Sequence, residues 1–308
     1  MPRTIARMQV GMVLPMNDAD GAARWPRIRE LARRAEAGGI DSLWAYDHLI
    51  FRLPNEDDDG IHEAWTLLSA VAAATERVQL GTIVLGTGFR PPALLAKRAA
   101  TLDEVSGGRV ILGLGTGWHE PEYRAFGYPF DHRAGRFDEA LRIIVPLVHG
   151  ERVTLHGRWH HVEDAVLIPA PPRPARMPGR MPILVAARGE RVLRLAARHA
   201  DAWNAAWFGF PSERFTQRLD DLVAACDAEA RDPASIDVTV GLTIDATGEI
   251  TGRPGAPDGL PADADTVARA LDAWRDLGVA HVQVDLRPVD ERTIDVLLEG
   301  RRRHRGEA

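Results

Sequence analysis

"ERVQLGTIVLGTGFRPPALLAKRAATLDEVSGGRVILGLGTGWHEPEYRAFG", residues 76 to 127, decides the fold. It opens with an apolar β-rich run, Val78 to Gly86, that reads as a strand. A proline-started segment from "PPALL" follows, with helical periodicity as far as "GG". A second continuous apolar run, Arg109 to Gly115, completes a strand–helix–strand unit. Continuous apolar strands joined by a helix are the mark of a parallel sheet covered on both faces. Behind the second strand come glycines 113, 115 and 117, then Trp118, His119, Glu120 and Glu122 with no linker.

The same rhythm extends in both directions. Upstream, "MQVGMVLP" (8–15) and "SLWAYDH" (42–48) read as strands one and two. Helices over 25–39 and about 63–75 follow them. Downstream of strand four a long helix, about His132 to His149, leads into a break in the pattern. That break, about 151–181, reads as a hairpin pairing Val153–Leu155 with Ala165–Ile168, then a Pro/Arg-rich loop at 169–181. The rhythm resumes with strands at 181–187, 201–205, 236–244 and 280–286, each followed by a helical segment. The helix after strand seven has an N-cap candidate in Asp263 or Asp265. Eight units predict a TIM-type (β/α)8 barrel, expected as a single domain over 1–308 with one insertion. An open doubly wound sheet is the other architecture to weigh. Its dinucleotide fingerprint would need glycine at 118, where tryptophan stands.

Composition removes whole classes of chemistry. The chain has 308 residues, 45% hydrophobic and 27% charged, enough for a large core. Its net charge of −6 argues against non-specific nucleic-acid binding. The basic tail "RRRHR" (301–305) reads as a solvated helix end. Of the 38 basic residues only Lys97 is a lysine, and it sits in a helix interior. Schiff-base enzymes and P-loop enzymes both need a placed lysine. The single cysteine, Cys226, falls on a helical pattern and reads as a core residue. His160 and His161 are adjacent, but no third ligand stands at zinc spacing, so no metal is expected. No apolar run approaches 18 residues and "MPRTIARMQV" lacks a signal core, so a cytoplasmic location is expected.

In a (β/α)8 barrel the active site lies at the C-terminal ends of the strands. There stand Tyr46, Asp47 and His48; Val84 to Gly88; Gly115 to Glu120; Ala186 to Gly189; and Asn204 to Trp207. Glycines 86, 88, 115 and 117 would let backbone approach a flat ligand. Arg188-Gly189, opening a helix, suits an anion such as a phosphate. The acidic run 55–60 reads as a solvated loop, or as a lid over the site.

"GIDSLWAYDHL", the stretch quoted first and "VAARGERVLRLAARHADAWN" together resemble the bacterial luciferase-like monooxygenase superfamily. The resemblance spans most of residues 8 to 210 and fades after that. It implies a TIM-type barrel with an excursion after strand four. It also implies redox chemistry on reduced FMN or the deazaflavin coenzyme F-420. By position it puts a non-proline cis peptide at Ile83–Val84, behind the cofactor ring. It puts Tyr46, Asp47 and His48 near the reactive centre. It makes Gly115, Thr116 and Gly117 the cofactor wall, with Trp118 and Glu120 towards the substrate. Ala186, Ala187, Arg188 and Gly189 match the phosphate loop, where the family has more glycine.

Blander readings stand beside these. His48 is a base or orienter, or a rim histidine bonded to backbone. Asp47 orients its neighbours or acts as a base. Trp118 walls a pocket or packs the rim. Glu120 and Glu122 suit a helix N-terminus in any case. The arginine bias points to a GC-rich, actinobacterial genome, and so favours F-420 over FMN. FMN would imply oxygen insertion and a separate flavin reductase. A non-catalytic flavin-binding protein and a cofactor-free barrel lyase or hydrolase are the remaining alternatives. The segment "HEAWTLLSAVAAATE" is apolar nearly all round, which predicts a homodimer through helices two and three.

Overall fold

Eight apolar runs form eight strands, and a helix follows each of them. In the computed structural model, residues 7–17, 23–52, 58–170, 180–248 and 259–307 are described. The strands are β1 (Gln9–Val13), β2 (Ser42–Ala45), β3 (Gln79–Thr82), β4 (Val110–Gly115), β5 (Ile183–Ala186), β6 (Ala202–Phe208), β7 (Asp237–Asp245) and β8 (His281–Arg287). The helices are α1 (Trp25–Ala37), α2 (Ala64–Ala74), α3 (Pro92–Ser106), the short α4 (Glu120–Phe126), α5 (Arg133–Val148), α6 (Glu190–His199), α7 (Glu213–Ala228), α8 (Ala264–Asp276) and α9 (Glu291–Arg305). The fold class is the TIM-type (β/α)8 barrel.

The described residues fall into two compact units. One holds those up to Pro15, those from Ala23 to Trp44 and those from Ala187 onward. In it β6, β7, β8, β1 and β2 pair in parallel in that order. Phe208, Phe215 and Trp274 pack edge to face inside it, with centroids 4.8 to 5.7 Å apart. The Trp274 indole N–H donates to the Gly209 carbonyl at 2.9 Å. Burying each such ring is worth about 1.5–3 kcal/mol, so this cluster anchors the first turn of α7. The other unit holds Met16, Asn17 and the described residues from Ala45 to Ala186. There β4 pairs in parallel with β3 and with β5, and Leu85–Gly86 adds to it beyond β3.

Of the two N-cap candidates, Asp263 caps α8 by accepting from Thr266 N, and Asp290 and Thr293 form a reciprocal capping box on α9 that the sequence reading did not name. Cys226 is fully buried.

Two expectations are corrected. The inserted hairpin pairs Val153–His156 with His161–Ala165, several residues earlier than its alternation suggests. Its turn is held by Glu139 of α5, whose carboxylate accepts from the N–H groups of Arg158, Trp159 and His160 at 2.7 to 2.9 Å. A carboxylate about twenty residues away thus sets the register. The tail "RRRHR" is only half solvated. Arg301 and Arg305 stand four apart on one face of α9 and are nearly buried, and Arg305 Nη2 donates to Asp41 at 2.6 Å. Glycines 115 and 117 also make room for protein atoms: a Cβ on Gly115 would lie 2.5 Å from Val84 Cγ2, and one on Gly117 1.9 Å from the Tyr123 hydroxyl. Residues 171–179 of the Pro/Arg-rich loop and 55–57 of the acidic run lie outside the described residues.

Candidate active site

The residues that follow β2 and β4 meet in the unit spanning Ala45 to Ala186. Asp47 is buried and fully engaged. Its carboxylate accepts from Gly86 N at 2.9 Å and from both terminal nitrogens of Arg90 at 2.5 and 2.9 Å. This fork-on-fork pair, with side chains 0% and 7% exposed, makes Asp47 a bracket for the loop after β3. Three of its acceptor positions are taken, which suits a structural role. Beyond β3 the chain turns through a cis peptide between Ile83 and Val84.

His48 is the more available group. Its Nδ1 lies 2.9 Å from Glu122 Oε1, and the other oxygen of that carboxylate accepts from Leu49 N at 2.9 Å. Glu122 is 1% exposed, whereas the His48 side chain keeps 14% of its surface open. An ionised carboxylate only accepts, so the shared proton sits on Nδ1 and Nε2 faces outward. Among the described residues Nε2 has no hydrogen-bond partner.

Aromatic rings surround this imidazole. Phe51 lies 4.3 Å from it centroid to centroid, Trp118 5.6 Å and Tyr46 6.0 Å. His119 stands 6.3 Å away, buried, and accepts from Arg52 N at Nε2. Burial first, and then the nearby His48, lower the His119 pKa, so it is a neutral acceptor that positions the loop. Trp118 is 60% exposed and forms an edge of the rim.

Glu120 does not join the cluster. It is the first residue of α4, and its exposed side chain pairs with Arg124 one turn on. Glu122, two residues later, points the opposite way, back under His48. Sequence reasoning singled out Glu120, whereas it is Glu122 that meets His48. Gly117, at φ +72°, and Tyr123 set the angle at which α4 starts, and that angle selects the carboxylate. Thr116 accepts at its carbonyl from the Tyr123 hydroxyl at 3.2 Å, and Arg133 donates to the Gly117 carbonyl at 2.5 Å. Phe51, Arg90 and Glu122 are functional neighbours that the strand-end rule missed, because none stands directly after a strand.

Ala186 ends β5 in this unit, and the phosphate-loop residues Ala187 to Gly189 belong to the other. There Gly189 has φ +73°, caps α6 and has nothing near the position a Cβ would take. The Ala187 carbonyl accepts from the Trp203 indole. Arg188 is exposed, and its Nη2 donates to the Ala206 carbonyl at 2.9 Å. Among the described residues no group of His, Cys, Asp and Glu could hold a metal ion. No helix among them is long and apolar enough to cross a membrane.

The family described as luciferase-like monooxygenase matches residues 8–247. An F420-dependent glucose-6-phosphate dehydrogenase of Amycolatopsis mediterranei is 34% identical over 222 residues, 70% of this chain and 63% of the relative. A phthiodiolone/phenolphthiodiolone dimycocerosates ketoreductase of a Mycobacterium species (strain JLS) is 34% identical over 249 residues, 73% of this chain and 63% of the relative. The chain thus spans a little over three fifths of the length of these curated relatives. Among solved structures, an F420-dependent secondary alcohol dehydrogenase in complex with an F420-acetone adduct superposes with a TM-score of 0.79. It is 20% identical, with 97% of this chain and 99% of that one covered.

Proposed function

The chain belongs to the luciferase-like monooxygenase family, and from that premise we propose that it is an oxidoreductase moving a hydride between coenzyme F-420 and a small organic substrate. The observation that carries the reading is the His48–Glu122 pair inside its aromatic rim. The relatives named for F420 support the choice of cofactor.

The donor set fits a flat redox ring. Phe51, Trp118 and Tyr46 offer ring faces and edges, and His48 offers one unpartnered polar atom beside them. We assign the backbone of Ile83–Val84 and of Gly115 to Gly117 to the wall of the ring site, and Ala186 to Gly189 to its phosphate. When bound, the deazaflavin supplies or accepts the hydride. Glu122 holds the His48 ring in one orientation and one tautomer. His48 Nε2 takes the proton of a substrate hydroxyl as that carbon gives up hydride, and returns it to a carbonyl in the reverse direction. The rings exclude water from the proton's path. Asp47, locked by Arg90, keeps the loop after β3 in place.

Titration of the purified protein with oxidised F-420 and with FMN, read by fluorescence quenching, tests this reading. Micromolar affinity for F-420 with weaker FMN binding is the expected result. Micromolar FMN binding with none for F-420 would make the chain the oxygen-inserting half of a two-component monooxygenase, served by a flavin reductase. Binding of neither would overturn the reading.

We assign a homodimer interface to α2 and α3 as part of the same reading. A groove of about 690 Å³ runs there, lined by Trp65, Ser69, Leu94, Lys97, Thr101 and Val105. Leu94 and Val105 are 44% and 57% exposed, which supports a second copy covering them. A monomeric mass by light scattering at micromolar concentration would end this assignment.

A further inference from the structure

Strands β7 and β8 carry a polar face where a barrel strand is ordinarily apolar on both sides. Along β8 the apolar Val282, Val284 and Leu286 alternate with His281, Gln283 and Asp285. The strand period of two puts these sets on opposite faces. The helices cover the apolar set, so the polar set faces the barrel interior, which bulky aliphatic side chains ordinarily fill. On the neighbouring β7, Gly241 stands opposite Gln283 and Thr243 opposite Asp285. All of them belong to the unit that runs from Ala187 onward. Thr243, Gln283 and Asp285 lie past residue 210, beyond the family motifs.

Two polar atoms on this face have nothing to bind. Asn204 Nδ2 donates to Gln283 Oε1 at 2.9 Å and to Thr239 Oγ1 at 3.0 Å, which fixes the Gln283 amide with its Nε2 turned away. That nitrogen and the Thr243 hydroxyl are buried without a hydrogen-bond partner among the described residues, and both residues are 0% exposed. A buried polar group left unpaired costs stability that an aliphatic side chain would not. Asp285, nearer the C-terminal end of β8, is the open member of the row. Its side chain is 17% exposed, and Arg287 Nε donates to its Oδ2 at 2.8 Å. Burial raises its pKa against the pull of Arg287, so the carboxyl is poorly hydrated where it stands. Trp207 supplies a flat wall. Its ring lies against Gly241, where a Cβ would stand 2.6 Å from Cε3. The backbone behind the ring is pinned. Arg188 and Arg218 donate to the Ala206 carbonyl at 2.9 and 3.2 Å, and Arg214 donates to the Trp207 carbonyl at 2.7 Å.

We propose that Thr243, Gln283 and Asp285, beside the Trp207 ring, bind hydroxyl groups of the substrate other than the reacting one, which makes that substrate a polyol or a hydroxylated ketone. A hydroxyl donates and accepts at once, and an amide N–H, a threonine hydroxyl and a carboxylate together call for both. A charged group fits less well. Asp285 already has Arg287, and Asp245, next along this face, accepts from Thr247 N and Oγ1 at 2.9 and 2.6 Å. The C–H surface of a polyol lies on the indole face. Entry is past Asp285, at the strand end where barrel enzymes hold their substrates. The inference rests on the hydride reading for which oxygen reacts, but the binding it describes needs no cofactor.

The probes are glycerol, sorbitol and myo-inositol, each added to the intact protein without cofactor and followed by saturation-transfer NMR, with cyclohexanol as the monohydroxy control. At least one polyol is expected to bind saturably, and more tightly than cyclohexanol. Thr243→Val should weaken that binding about tenfold, the scale of one lost hydrogen bond. Without ligand the same variant should melt no lower than the wild type, because the hydroxyl it removes is unpaired. Asp285→Asn, which keeps the shape of the side chain, repeats the binding test if Thr243→Val does not fold. Binding of none of the polyols, cyclohexanol binding as well as they do, or variants that bind as the wild type does overturn the proposal. F-420 or FMN that displaces the polyol gives these groups to the ribityl chain of the cofactor and overturns the substrate assignment. The readout needs neither cofactor nor turnover, so failure of the redox reading in the cofactor titration is seen separately.

Discussion

Two rims of this chain treat charge in opposite ways. After β2, each polar side chain of the cluster has a side-chain partner: Asp47 has Arg90, and His48 has Glu122. After β5 and β6, three guanidinium groups have only carbonyl oxygens. The compensated rim is complete in itself and serves to orient one imidazole nitrogen. The uncompensated rim, in the other unit, holds its cations on backbone dipoles alone.

Breaking the buried Asp47–Arg90 pair should have the largest effect. Arg90→Ala leaves a carboxylate buried without its cation, a change worth about 3–5 kcal/mol, read as a fall in denaturation midpoint. Arg188→Gln on the other rim should leave the midpoint unchanged or raise it. Equal losses at the two positions would erase the contrast.

A third treatment of charge is to suppress it. His281 on β8 is buried, and its Nε2 lies 2.7 Å from the Ser42 hydroxyl, which also accepts from the Trp44 indole. Burial lowers its pKa from 6.5 to about 4, with Asp41 opposing the shift. The unfolded chain therefore binds this proton first as pH falls. Stability from the neutral form is present above pH 6.5 and is lost as pH drops towards 4. The loss should reach about 3 kcal/mol, and His281→Gln should flatten the acid limb of a stability–pH profile. An unchanged limb would show that His281 is not kept neutral.

His48→Ala should lower turnover by about a hundredfold or more while cofactor affinity stays within about tenfold. Unchanged turnover on any substrate the wild type accepts would remove His48 from the chemistry. Glu122→Gln should lower turnover by less, because the ring keeps a hydrogen-bonding neighbour but loses the carboxylate that fixes its orientation. Glu120→Gln should do least, staying within about twofold, since an exposed i, i+4 pair is worth only about 0.3–0.5 kcal/mol. A larger effect at position 120 than at 122 would reverse the assignment made from the geometry.

The strand-end rule found His48, Asp47 and Trp118 because each follows its strand within a few residues. It did not find Glu122, whose partner stands 74 residues earlier in the chain. It also passed over Arg214 and Arg218, which look like ordinary helix-surface arginines until Ala206 and Trp207 are placed beside them. That the missing side chains of glycines 115 and 117 make room for Val84 and Tyr123 was not legible either.

The sequence alone determined what depends on near neighbours: the alternation of eight apolar runs with helical segments, the capping of α8, and the family motifs. These follow from periodicity, proline and glycine placement, and side-chain bonds spanning three or four residues. Only the tertiary structure decided which of two glutamates meets His48, which tail arginines turn inward to Asp41, and where three arginines converge. Charges act over a few ångströms in space, whatever their separation along the chain, so a partner on another element leaves no mark in the local pattern.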